Sequence, residues 1–116
     1  MPPKIVLMIS SMSSDMEQKS NIERSLNLVK ARKMRFETVD GADPVNRERR
    51  NALFAVSGVR GKYPQWFTEG DDGVASFVGM WEDVETLNER SSLPASYGDG
   101  VLTWEGAFGA CKESAP

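Results

Sequence analysis

Apolar residues run without a break through Ile5-Val6-Leu7-Met8-Ile9, a β-branched stretch that fits a strand buried on both faces. A polar loop, Ser10-Ser11-Met12-Ser13-Ser14, follows it. Ser14-Asp15-Met16-Glu17 then has the form of a capping box, with the Ser14 hydroxyl at the cap. Helical spacing of Ile22, Leu26 and Val29 predicts a helix over residues 15–33, closed by Lys30, Arg32 and Lys33, where cations suit the helix dipole. Met34 to Asp40 alternates apolar and polar, as a half-buried strand does. Gly41-Ala42-Asp43-Pro44 opens a second helix, with Asp43 as its N-cap and Pro44 at the first position, and Gly58 ends it after Ser57.

The second half of the pattern is shorter in period. Pro64 lacks an N–H and belongs at a strand start or edge, so Trp66 to Thr68 is predicted as a short strand. Gly70-Asp71-Asp72-Gly73 has hairpin composition, Val74 to Val78 returns, and Gly79 punctuates. Met80, Val84 and Leu87 share one face of a third helix over residues 80–90, with Trp81 beside them. The order is β-α-β-α-β-β-α. A right-handed crossover makes the first two strands parallel and the hairpin adds an antiparallel pair. The fold class is therefore α/β, a four-stranded mixed sheet flanked by three helices.

From Ser91 the chain changes character, with Gly98, Gly100, Gly106 and Gly109 and few periodic apolar positions. The expected organisation is a domain over residues 1–91 and a C-terminal tail over 92–116, mostly irregular or partly docked. Trp104 and Phe108, four apart, would share one side of a helical turn.

Composition narrows the chemistry. At 116 residues the chain suits one domain with one core. It has no histidine, which removes Ser-His-Asp and Cys-His nucleophile systems, the usual zinc sites and the commonest general base. Its single cysteine, Cys111, allows neither an intrachain disulfide nor CxxC chemistry, and fits a reducing compartment. Fourteen Lys+Arg against seventeen Asp+Glu gives a net charge of −3, which argues against nonspecific nucleic-acid binding. The run from Ile5 to Ile9 is far too short to span a membrane. The expectation is a cytoplasmic monomer that binds no metal, nucleic acid or membrane.

The β-α-β-α-β-β-α order with a proline opening the third strand is that of the thioredoxin-like fold, where such a proline is commonly cis. Lys4–Ser14, Met34–Asp40, Tyr63-Pro64-Gln65-Trp66-Phe67 and the stretch around Gly79 resemble the SH3-domain-binding glutamic-acid-rich-like proteins, relatives of the glutaredoxins. The resemblance covers about residues 4–90 and implies a thioredoxin-like fold without redox catalysis. The loop that carries the nucleophilic cysteine in active glutaredoxins is Ser10 to Ser14 here. The chain differs from the family in two places. Pro64 stands alone where a proline run carries the SH3 ligand, and no glutamate-rich tail follows.

The candidate site follows from both lines. Ser11, Ser13 and Ser14 precede a helix N-terminus, where hydroxyls and free amides suit an anion or carboxylate, or simply cap the helix. Lys62, Tyr63, Pro64 and Gln65 form the expected recognition edge, where an extended peptide can pair. In glutaredoxins that segment binds the cysteinyl backbone of glutathione, and Gly79 falls where those proteins hold the γ-glutamyl group, although Trp81 takes one acidic place. The reading is a non-catalytic protein-interaction module, an SH3-binding-type adaptor by resemblance, with an unidentified protein partner. It needs no cofactor, and glutathione or a small thiol is the alternative ligand. Arg47-Glu48-Arg49-Arg50 reads as a solvated helix face rather than a phosphate site. Cys111 reads as incidental rather than as a redox sensor.

Overall fold

The computed structural model describes residues 2–90 and 103–113 of the chain. Within them the strands are β1 (Lys4–Ile9), β2 (Phe36–Asp40), β3 (Gln65–Glu69) and β4 (Ala75–Met80). The helices are α1 (Met16–Ala31), α2 (Arg47–Ser57, entered through a 3-10 turn at Pro44–Asn46), α3 (Trp81–Arg90) and α4 (Trp104–Phe108). The sheet order is β2-β1-β3-β4, with β1 parallel to β2 and antiparallel to β3. This is the thioredoxin-like α/β arrangement expected from the pattern. It differs from that expectation by a fourth helix.

β1 is central, and its continuous apolar sequence has the physical cause inferred for it. Ile5 and Leu7 enter one core with Trp66, Val29, Val84 and Leu87, while Val6 and Met8 enter the other with Val39, Leu53, Phe54 and Phe67. α1, α3 and α4 cover the first face, and α2 covers the second. The predicted punctuation holds at several points. Asp43 accepts from the Val45 N–H at 3.0 Å, Gly58 closes α2 in the left-handed conformation at φ 72°, and Gly70–Gly73 forms the hairpin turn with Gly73 at φ 78°.

Two local readings are corrected. The cap of α1 is Asp15, not Ser14: its carboxylate accepts from the N–H groups of Glu17 and Gln18. An ionised carboxylate is a stronger acceptor than a hydroxyl at the positive end of a helix, so the cap shifts one residue along. Gly79 does not punctuate β4 but lies within it, opposite Trp66.

The buried stripe of α1 is centred on Asn21, Ser25 and Val29, with Ile22 and Leu26 at its flanks. The polar centre has a partner. Trp66 is fully buried, and its indole N–H donates to the Ser25 hydroxyl at 3.0 Å. A small side chain leaves room for the indole, and its oxygen satisfies a donor that burial would otherwise leave unpaired.

Residues 103–113 pack onto this same face. The Thr103 hydroxyl caps α4 by accepting from the Gly106 N–H. Trp104 and Phe108 are buried, with ring centroids 6.0 and 5.5 Å from Trp66. The Arg32 guanidinium lies 4.5 Å from the Trp104 ring centroid and donates to Asn88 of α3, tying α1, α3 and α4 together. Arg35 secures the chain end by donating to the carbonyls of Ala110 and Lys112, and a bridge joins Met34 to Lys112. The boundary drawn at residues 91/92 and the glycine-rich stretch after it lie outside the described residues.

Because Trp104 is buried against Trp66, Trp104→Ala is expected to lower the unfolding free energy by about 3–5 kcal/mol, measured by urea denaturation. Cys111, buried beside it, is expected to react with a thiol reagent far more slowly in the native protein than in this variant. Equal rates in the two would show that residues 103–113 do not pack as described.

Candidate functional site

The register of β1 on β3, Met8 opposite Gln65, brings Pro64 to the end where β1 runs into the 10–15 loop. The Tyr63-Pro64 bond is cis, as the element order with a proline opening the third strand led one to expect. The loop itself is held by its own polar groups. Ser10 and Ser13 hydroxyls accept from the N–H groups of Met12 and Asp15, and the Ser11 N–H donates to Asp40 at 3.1 Å. Asp40 also accepts from the Ala42 N–H at 3.0 Å, so one carboxylate joins the β1–α1 loop to the end of β2. Burial pulls the Asp40 carboxyl upward, but hydrogen bonds from Ser11 and Ala42 outweigh it and hold the group below the ordinary aspartate range.

Beside this loop lies a groove of about 360 Å³ between the first turns of α1, the Lys62–Pro64 segment and the start of α3. Its walls include Asp15, Glu17, Gln18 and Asn21 from one side, and Met80, Trp81 and Glu82 from the other. Across it runs one hydrogen bond: the Tyr63 N–H donates to the Gln18 side-chain oxygen at 2.9 Å. The Gln18 amide nitrogen donates in turn to the Asp15 carboxylate at 3.3 Å.

The residues expected at the site divide into two groups. Lys62, Tyr63 and Pro64 line the groove; Ser11, Ser13, Ser14, Gln65 and Gly79 do not. Gln65 is wholly buried, and its amide nitrogen donates to the carbonyls of Val59 and Lys62, latching the connection from α2 to β3. Gly79 leaves room for a neighbour: a Cβ there would lie 2.7 Å from Asp83, whose carboxylate accepts the Met80 N–H. The Tyr63 ring packs toward Phe54 and over Gly41, and burial raises its phenol above the ordinary value. Its contribution to the groove is therefore main chain.

Sequence reasoning missed Asp15, Glu17, Gln18 and Asn21 on the α1 wall. The one available signal was the Asp15–Gln18 spacing of an N-cap and its third helical residue, which goes unused when Ser14 is taken as the cap. Two arginines of the basic run on α2 are engaged by the fold at its surface. Arg49 pairs with Glu37 and Glu69, and Arg50 donates to the Gly41 carbonyl.

Chemically, the groove offers carboxylates from Asp15, Glu17 and Glu82, one ammonium from Lys62, and an apolar floor from Met80 and Trp81. It holds no thiol. Cys111 is buried beyond the start of β1, next to Arg35, and burial raises its thiol above the ordinary value despite that guanidinium. The length of β1, about 17 Å for a strand of this size, separates the two places. Among the described residues no group of three or more metal-ligating side chains could hold a metal ion, and no helix is long and apolar enough to cross a membrane. A larger cavity of about 610 Å³ lies at the far end of β1, between Lys4, Phe36, Glu69 and the hairpin, and gathers none of the expected site residues.

No protein-family model matches the chain, and a search of curated proteins finds no match. Solved structures do match. A buckwheat glutaredoxin, in a crystal structure of its complex with glutathione, aligns with a TM-score of 0.50 and 18% identity over 86% of this chain and 73% of that one. The chain thus has a glutaredoxin-like version of the thioredoxin-like fold.

A carboxyl held below its ordinary pKa in the folded state favours the ionised form on folding. Its contribution is present above the unfolded-state pKa and is lost as pH falls through the folded value. Asp40→Asn is therefore expected to be less stable than wild type at neutral pH in urea denaturation, and the gap should close below about pH 4. A gap that stays constant down to about pH 2.5 would show that the charge of Asp40 is not what joins the loop to β2.

Proposed function

We propose that the chain is a glutaredoxin-fold protein without thiol–disulfide exchange activity, acting as a protein-interaction module in the manner of the SH3-domain-binding glutamic-acid-rich-like proteins. The groove between α1, Lys62–Pro64 and α3 is its binding surface. One observation carries the reading: the loop beside the groove, which by the resemblance takes the place of the thiol-bearing loop of active glutaredoxins, is Ser10–Ser14, and the chain's one cysteine is buried at the far end of β1. No histidine accompanies those serines, and the carboxylate that meets Ser11, Asp40, is held below the ordinary aspartate range, which makes it a poor base for a hydroxyl. A cytoplasmic monomer without a cofactor belongs to the same reading.

A second reading, binding of glutathione or a related small thiol, has its own support in the fold neighbour, whose crystal structure is of a glutathione complex. The charges of the groove favour the first reading. Glutathione brings two carboxylates and one ammonium, and the groove meets that net negative charge with Lys62 alone against Asp15, Glu17 and Glu82.

Capture experiments with immobilised protein test the interaction module. A soluble extract is passed over wild type, Glu82→Lys and Glu113→Lys. The last makes the same charge change at a residue that lines the larger cavity at the far end of β1. The proposal expects a protein retained by wild type and by Glu113→Lys at similar levels, and reduced at least about tenfold by Glu82→Lys, as loss of a favourable charged contact produces. Identical retention by all three proteins excludes the groove as the interaction surface.

A further inference from the structure

We propose that Gln18 is the specificity-determining residue of the groove: it is an internal ligand that occupies the Tyr63 N–H and so weakens the binding of extended ligands that pair by backbone hydrogen bonds. This rests on the reading of the groove as the binding surface and states which ligands that surface disfavours.

The geometry is specific. The Gln18 side-chain oxygen accepts the Tyr63 N–H at 2.9 Å, and its nitrogen donates to the Asp15 carboxylate at 3.3 Å. The two bonds fix the amide's orientation. Turning it over would set an NH₂ group against the Tyr63 N–H and an oxygen against the Asp15 carboxylate, with both contacts repulsive. Asp15 is itself held as the cap of α1 by the Glu17 and Gln18 N–H groups, so the plug is anchored in the helix start.

Gln18 and Tyr63 both line the groove, so a ligand strand lying along Tyr63–Pro64 would have to displace this side chain. The Tyr63 N–H gains nothing new when one acceptor replaces another, whereas the displaced Gln18 amide loses a partner. A ligand that grips through side chains, against Met80, Trp81 and the flanking carboxylates, pays no such cost. The consequence is a groove that keeps the shape of a peptide-pairing site while selecting against backbone pairing.

The test compares ¹⁵N-labelled wild type and Gln18→Ala. Alanine is a good helix former, and Gln18 is only half-buried, so the variant keeps α1. In the ligand-free proteins the Tyr63 amide should exchange with solvent at least about tenfold faster in Gln18→Ala, because its acceptor is gone. Reduced glutathione is then titrated into each as a probe able to pair through its cysteinyl main chain. The proposal expects a saturable shift of the Tyr63 amide in Gln18→Ala, with a dissociation constant at least about fivefold below that of wild type, the ratio expected for removing one competing hydrogen bond. Equal affinity in the two proteins, or no binding by either, overturns the proposal while leaving the capture experiment to judge the groove. Shifts that cluster around Lys4, Phe36 and the β3–β4 hairpin in both proteins overturn the proposal and remove the groove as the binding surface as well.

Discussion

The antiparallel pairing of β1 with β3 is the constraint from which the rest follows. Its register sets Met8 against Gln65, so the end of β1 and the start of β3 meet, and with them the 10–15 loop and the Tyr63-Pro64 segment. Every wall of the groove inherits its position from that meeting. α1 starts where the loop ends, and α3 starts where β4, paired to β3, runs out at Met80. A slip of one residue would exchange the two faces of β3 and send Trp66 to the side of Phe67. The burial of both aromatic residues, in two different cores, makes that slip costly.

Trp66 connects this pairing to the chain's C-terminal segment. On one side it bonds to Ser25 of α1, and on the other it meets Trp104 and Phe108. The segment over residues 103–113 is therefore part of the cover of the sheet, and it keeps Cys111 within the core. The Ser10 and Ser13 hydroxyls are taken up in the turns of their own loop, and Ser11 is tied to Asp40 at the end of β2.

Much of the architecture was legible because its signals are local and redundant. The unbroken apolar run of Ile5 to Ile9, the Asp43-Pro44 helix start, the left-handed Gly58 and the Gly70–Gly73 turn each require one backbone outcome irrespective of their partners. The fourth helix was only half legible: the spacing of Trp104 and Phe108 suits one helical turn, but the helix has five residues, one of them Gly106, and what the two rings touch is set by the fold. The groove was half legible for a related reason. Lys62, Tyr63 and Pro64 could be read from a resemblance, but Gln65 and Gly79 are committed to packing, and Gln18 acquires its role only when the fold brings α1 against Tyr63. A glutamine in the first turn of a helix carries no sign of a partner 45 residues away.

The central proposal is that the groove of this glutaredoxin-like fold carries nothing able to attack sulfur. The most direct measurement is thiol–disulfide exchange on purified protein, with glutathione and a small mixed disulfide as substrates, for wild type and Cys111→Ser. The account predicts no turnover above the protein-free control in either. Turnover by wild type would contradict it, and persistence of that turnover in Cys111→Ser would place the reactive group somewhere other than the chain's only thiol.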